Sequence, residues 1–200
     1  STPDRLAHHV FMADTAVHIG EAPPVESYLN MDKMIDAALR SKSDAIHPGW
    51  GFLAENEKFA QKVIDAGLTW IGPSPKVIRL MGDKIEAKRI AKKANVPTIP
   101  GISDVTDISQ IKKWMKSEKI FFPIMIKASA GGGGKGMVKV ESEDRMEQAF
   151  GQARSEARKA FGDDTVMVEK YIESGRHIEV QIVADEYGNV IHLFERECTL

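Results

Sequence analysis

Phe122-Pro123-Ile124-Met125-Ile126-Lys127, then Gly131-Gly132-Gly133-Gly134-Lys135-Gly136, then Met137-Val138-Lys139-Val140: a glycine run between two short β-prone stretches decides how this chain is read. The run satisfies G-x-G-x-x-G, the spacing of a dinucleotide-binding turn, but such a turn needs a helix to start at the loop and face the pyrophosphate. Met137 to Val140 instead alternates like a strand. A Walker A loop needs Lys and then Ser or Thr after its second spaced glycine, and Met137 follows Gly136. What remains is a glycine flap at the tip of a hairpin. Without Cβ atoms its N–H groups can close onto phosphate oxygens, and the loop can hinge over a nucleotide. The plainer alternative is a simple turn. Against it stands the chain entropy of consecutive glycines, about 1 kcal/mol each.

Lys127 ends the strand that feeds the loop, where an ammonium reaches α- or β-phosphate oxygens; the alternative is a solvated strand end, the common fate of lysine. Lys84, in Gly82-Asp83-Lys84, heads a helix and by spacing reads as a surface charge. Val166 to Ile172 reads as a core strand running out into a bend. Such an end can present one N–H and one C=O to an adenine edge. By period 2, His177, Glu179 and Gln181 share one strand face and Ile178, Val180 and Ile182 the other. The polar stripe reads first as a solvated sheet face, and the spacing matches no familiar zinc site.

Outward from the loop, the first 80 or so residues alternate strand and helix. Asn30 caps a helix with Met31, Met34, Ile35, Ala38 and Leu39 on one stripe, and Ala45 to His47 is a strand stopped by Pro48-Gly49. Phe59, Ala60, Val63 and Ile64 line a second helix, Leu68 to Ile71 is a strand, and Ser74-Pro75 opens a third helix. That alternation implies a parallel sheet covered by helices. Near Gly82 the texture changes. Helices over Ile85–Ala94, Asp107–Lys116 and Glu143–Phe161 now mix with strands over Phe122–Lys127, Met137–Val140, Val166–Glu169, His177–Ala184 and Val190–Phe194. The last two strands are joined by a hairpin turn over Asp185–Asn189. Between these helices, Val96 to Gly101 reads as a break.

Across the 200 residues, 27 Lys+Arg stand against 29 Asp+Glu, so the net charge of −2 excludes a strongly basic nucleic-acid binder. The apolar content excludes disorder, and no apolar run approaches the roughly 18–20 residues of a membrane span. A single cysteine, Cys198, excludes an intrachain disulfide and favours a reducing compartment. The chain opens Ser1-Thr2-Pro3-Asp4 without an initiator Met and closes on Thr199-Leu200 directly after a strand, so both ends read as cuts in something longer.

Taken in order, the block from His47 to Asn56 (HPGWGFLAEN), Met81-Gly82-Asp83-Lys84, Ile126-Lys127-Ala128-Ser129 with the glycine loop, Glu169-Lys170-Tyr171-Ile172 and Arg176-His177-Ile178-Glu179 resemble biotin carboxylase, the ATP-grasp enzyme or domain of biotin-dependent carboxylases. The resemblance runs over essentially the whole chain. It implies an α/β, Rossmann-like N-terminal domain over residues 1–82 that lacks its first strand, then an incomplete α+β ATP-grasp domain over 83–200 with its flap region at about 98–172. It implies an ATP-dependent ligase in which bicarbonate is phosphorylated to carboxyphosphate, which delivers CO2 to biotin. Lys84 and Lys127 would contact the phosphates, and Gly133 and Gly134 would lie in the flap. Glu169, Lys170, Tyr171 and Ile172 would form the adenine hinge, with the Lys170 carbonyl and the Ile172 amide reading the base. His177 would lie beside the nucleotide.

The same resemblance places the acidic Mg2+ ligands and the arginines for bicarbonate and biotin beyond Leu200. This segment therefore holds about half of an ATP site, no assigned catalytic residue, and is expected to be inactive alone. The implied partners are a biotin carboxyl carrier protein or domain, a carboxyltransferase, and further copies of the same chain. Neither nucleic acid nor membrane is implied. The implied compartment is the cytoplasm, or the mitochondrial matrix in a eukaryote. Acetyl-CoA, propionyl-CoA, methylcrotonyl-CoA and pyruvate carboxylases share this module. Two alternatives stand beside it: another ATP-grasp ligase of the carbamoyl phosphate synthetase type, from which the His47–Asn56 block separates it, and a non-catalytic nucleotide-binding fragment.

Overall fold

The computed structural model describes residues 1–128, 137–161 and 164–199. The chain divides into two compact units, one built on Ser1–Thr98 and the other on Ile99–Ala128 with the described residues from Met137 onward.

In the first unit a short helix α1 (His8–Met12) precedes α2 (Met31–Arg40). The Asn30 side chain caps α2 by accepting the Lys33 N–H at 3.0 Å, which satisfies one of the orphan donors of the first turn. Strand β1 (Ala45–Ile46) pairs parallel with β2 (Thr69–Trp70) through the crossover helix α3 (Glu57–Asp65). Each strand is shorter than its apolar run suggests. The core is small: Ala38, Leu53, Phe59, Val63 and Leu68 are buried, with Met31, Met34, Ile35 and Trp70 packed around them. Ser74 caps α4 (Pro75–Gly82), and Asp83 then caps α5 (Lys84–Lys93), accepting the Ile85 and Glu86 N–H groups at 2.8 and 3.0 Å. Lys84 is thus the first residue of α5.

The second unit holds an antiparallel sheet of order β3-β6-β4-β5, from Gly101–Val105, Val166–Lys170, Ile124–Ala128 and Met137–Val140. Strand β3 begins at Gly101, the last residue of the break read from the sequence, and runs on over residues to which no element was assigned. Its Gly-Ile-Ser-Asp-Val composition is poor in β-formers, and a register shift with Asp104 at φ 56° interrupts it. Pairing with β6 makes it a strand nonetheless. Helix α6 (Ile108–Glu118) starts with a capping box in which Asp107 accepts the Ser109 N–H and Gln110 reaches back to the Asp107 N–H. The long helix predicted from Glu143 begins as a 3-10 turn, and α7 proper runs Met146–Phe161.

One face of the sheet carries Ile124, Ile126, Val140, Val166 and Val168, each 0% exposed, against Ile111 and Trp114 of α6 and Met146, Ala149, Phe150 and Ala153 of α7. Burying each such side chain is worth about 1.5–3 kcal/mol, so this layer anchors the unit. The last two strands, β7 (Ile178–Ala184) and β8 (Val190–Glu197), form a separate two-stranded hairpin. Its turn is tied by Asp185, whose Oδ1 accepts the Tyr187 and Asn189 N–H groups at 2.9 Å. Among the described residues no helix is long and apolar enough to cross a membrane.

Candidate functional site

The strand pairing decides what shares a surface. Residues directly opposite in an antiparallel pair point to the same face. Met125 lies opposite Lys139 on β5 and Glu169 on β6; Lys127 lies opposite Met137 and Met167. These six residues therefore form the face of the sheet turned away from the α6/α7 core. Alternation along β4 puts Ile124 and Ile126 into that core and, by the same rule, Met125 and Lys127 out of it.

At the centre of this face the Lys127 ammonium meets the Glu169 carboxylate at 2.6 Å, with side-chain exposures of 24% and 10%. A largely buried carboxylate needs a cation, and the lysine meets that need across the strands. The result is a positive group held at the strand end that leads toward the glycine run. Beside it, Lys139 stands 4.8 Å over the Tyr171 ring and 3.0 Å from the Glu141 carboxylate. The Glu141 contact holds the Lys139 ammonium above the usual lysine range, against a smaller opposing effect of burial. The ring of Tyr171 is thereby held from one side by a cation.

The segment Lys170–Ile172 follows directly. The Lys170 N–H donates to the Pro100 carbonyl at 3.0 Å and the Tyr171 N–H to the Pro123 carbonyl at 3.2 Å. Ile172, past the strand end, is 52% exposed. Two of the three N–H groups in the segment Lys170–Ile172 are thus committed to the sheet.

The structure sets Lys127 of β4 against Glu169 of β6, with Lys170 ending β6 and Tyr171 directly after it. It places Lys84 at the head of α5, in the other unit. Gly133 and Gly134 lie outside the described residues. His177 is exposed and precedes the hairpin, its main chain clasped by the Thr199 hydroxyl at 2.9 Å and the Cys198 N–H at 2.8 Å. Next to it Glu179 pairs with Arg196 at 2.5 Å, so the polar stripe on β7 is partly an ion pair across the hairpin. Among the described residues no three His, Cys, Asp or Glu side chains gather closely enough to hold a metal ion, so these residues offer no cation cage of their own.

Reading the residues without the fold missed Met125, Met137, Lys139 and Met167 as members of this face. A signal existed for Met125, two residues before Lys127 on the same strand. For Met137 and Lys139 it lay only in the pairing register, which no periodicity within one strand can supply.

Residues 83–200 match the family described as carbamoyl-phosphate synthase L chain, ATP binding domain, and residues 1–78 match the biotin carboxylase N-terminal domain. The chain is 52% identical over 200 residues to a biotin carboxylase of Nostoc, covering 100% of this chain and 44% of that protein. A crystal structure of a Campylobacter jejuni biotin carboxylase–beta-gamma-ATP complex superposes with a TM-score of 0.89 at 45% identity, over 98% of this chain and 44% of that one. The biotin carboxylase domain dimer of Hydrogenobacter thermophilus 2-oxoglutarate carboxylase, in complex with MgADP, ADP and bicarbonate, superposes with a TM-score of 0.85 at 47% identity, over 98% and 43%. The chain spans a little under half the length of these relatives.

Proposed function

The chain belongs to the biotin carboxylase family, and from that membership we propose that it is the nucleotide-gripping part of an ATP-dependent biotin carboxylase. In the complete enzyme a bicarbonate oxygen attacks the γ-phosphorus of ATP and ADP departs. The carboxyphosphate so formed releases CO2 and phosphate, and the CO2 is taken by a ureido nitrogen of biotin as that nitrogen loses its proton. Magnesium supplies charge neutralisation on the phosphates when bound; its ligands are proposed to lie in the remainder of the protein.

The residues of this chain position and neutralise. Phosphoryl transfer needs placement and charge stabilisation far more than covalent help. Lys127 supplies one positive charge, held in place by Glu169 so that little side-chain ordering remains when the triphosphate arrives. Lys84 is proposed as a second phosphate contact. Gly133 and Gly134 are proposed to close N–H groups over the nucleotide, which keeps water from carboxyphosphate. His177 is proposed to stand beside the nucleotide. The hinge Glu169–Ile172 is proposed to read adenine through the Lys170 carbonyl and the Ile172 N–H. The boundary between the two sequence domains is proposed to lie at Gly82, within the first compact unit, which extends to Thr98. The biotin is carried on a carrier protein or domain, a carboxyltransferase takes the product, and the enzyme works as a homo-oligomer in the cytoplasm, or the matrix of a mitochondrion.

The observation that carries this reading is the Lys127–Glu169 pair on the sheet face beside the hinge. In the full-length protein Lys127→Ala is expected to weaken ATP binding and to lower bicarbonate-dependent ATP hydrolysis by about a hundredfold or more. Unchanged kinetics in that variant would remove Lys127 from the site. Gly133→Val and Gly134→Val are each expected to block closure and reduce turnover; normal turnover in both would make the loop a passive turn.

A further inference from the structure

The two residues that flank the end of β6 are both prolines, and their positions follow from the register. Gly101 pairs with Glu169 and Ile102 with Val168, so the next step of the same ladder sets Pro100 opposite Lys170. The Lys170 N–H does donate to the Pro100 carbonyl, at 3.0 Å. In an antiparallel pair of this kind the two residues exchange both bonds, so the Lys170 carbonyl faces the nitrogen of residue 100. Proline has no N–H. On the other side, Ile124 pairs with Lys170, and the next step sets Pro123 opposite Tyr171, whose N–H donates to the Pro123 carbonyl at 3.2 Å. The Tyr171 carbonyl faces a second nitrogen without hydrogen.

Each proline thus accepts a bond from the hinge and cannot return one. The segment is anchored through its N–H groups while its carbonyls receive no ladder donor. The alternation of the strand turns the Lys170 carbonyl toward the β3 side, and the Ile172 N–H, the other group of the proposed hinge, follows two residues on, past the strand end. An acceptor and a donor two residues apart complement the adenine edge, which offers an amino donor and a ring-nitrogen acceptor. Guanine presents the reverse order, a carbonyl acceptor and a ring N–H.

We infer that Pro100 is a specificity-determining positioning residue: by withholding a backbone donor from the Lys170 carbonyl, it keeps that acceptor available to the base and sets the preference for adenine over guanine nucleotides. This rests on the proposed adenine-reading role of the hinge and adds the reason why the acceptor stays available. A residue with an N–H at position 100 completes the ladder pair and makes the base share the carbonyl with the sheet. A carbonyl oxygen has two lone pairs, so the effect is a weakening and not a loss.

The test uses the full-length protein. Pro100→Ala and Pro100→Val, the second keeping the extended backbone favoured by a β-branched residue, are each expected to lower the ATP-over-GTP binding preference about three- to tenfold, the range of one ordinary hydrogen bond. The change is expected in the nucleotide KM and dissociation constant, with kcat at saturating ATP nearly unmoved. Pro97→Ala, a proline off the paired register, is expected to leave the preference unchanged. A preference in folded Pro100 variants equal to that of the unchanged protein overturns the inference, as does an equal drop in Pro97→Ala. Hydrogen exchange of the peptide spanning Lys170–Ile172 in the unchanged protein provides a readout independent of the variants. Protection by ATP and not by GTP is expected, and equal protection by both overturns the inference. No protection by ATP at all overturns the adenine-reading hinge itself, which distinguishes the two failures.

Discussion

The four-stranded sheet and the β7–β8 hairpin are both antiparallel, and both alternate along their strands, yet they treat their aliphatic residues differently. In the sheet, Ile124 and Ile126 are 0% exposed beneath α6 and α7, and the opposite face carries the Lys127–Glu169 pair. In the hairpin, Ile178, Val180 and Ile182 are 42–53% exposed, and on the other face Val183 and Ile191 are 45% and 57% exposed. The period-2 pattern of a strand says which residues share a face. Whether a face becomes core depends on what is laid against it. The sheet has two helices of its own unit laid across it; among the described residues none is laid across the hairpin.

The largest test of that contrast is a pair of identical truncations. Ile126→Ala is expected to cost about 2–5 kcal/mol, because the cavity in a packed layer collapses only in part. Ile182→Ala is expected to cost under about 1 kcal/mol in the same chain. Urea unfolding of both variants measures the difference, and equal costs would abolish the distinction between the two regions.

The polar face of the sheet gives the next effect. Lys127→Met removes a cation from a carboxylate whose side chain is only 10% exposed, at an expected cost of roughly 2–3 kcal/mol. Adding Glu169→Gln is expected to recover much of it, since no largely buried carboxylate then stands without that lysine. Additive losses in a double-mutant cycle would mean that the pair is not coupled.

A smaller, pH-dependent effect lies at the end of α7. Arg154 and Arg158 each reach Asp164 at 2.6 Å and hold its carboxyl below the usual aspartate range. A folded pKa below the unfolded one stabilises the fold fully above about pH 4, and that contribution is lost as pH falls through the lowered value. Asp164→Asn is therefore expected to flatten the acid limb of the stability curve and to leave the Lys127–Glu169 contrast untouched. A midpoint that falls with pH as steeply as in the unchanged chain would contradict this. The smallest effect belongs to Lys139→Ala, which removes an exposed cation from the Tyr171 ring and is expected to loosen that ring with little loss of stability. Tyrosine fluorescence would register the change, and an unaltered signal would mean that the ring is held by other contacts.

Much of the fold was legible in the residues. Asn30 and Ser74 cap helices as their types demand, and Asp185 ties the hairpin turn. Strand β3 was not legible, because Gly101, Ser103 and Asp104 disfavour a strand and only pairing with β6 overrides them. For the candidate site, Lys127 and the run Glu169–Ile172 were singled out from the chain order of motifs. Their meeting was not, since 42 residues separate Lys127 from Glu169. Nor does any local pattern indicate that Pro100 and Pro123 flank the same strand end.

Local chemistry settles what each segment can be: caps, turns, alternating faces, a glycine run without side chains and two prolines without N–H groups are properties of residues and near neighbours. What those segments do together came from the packed molecule. Register across strands sets Glu169 against Lys127, puts Lys139 over Tyr171 and leaves the Lys170 carbonyl facing a nitrogen that has no hydrogen. Non-local pairing is chosen by the burial of a whole sheet face at once, a free energy shared among residues far apart in the chain and therefore carried by no single stretch of it.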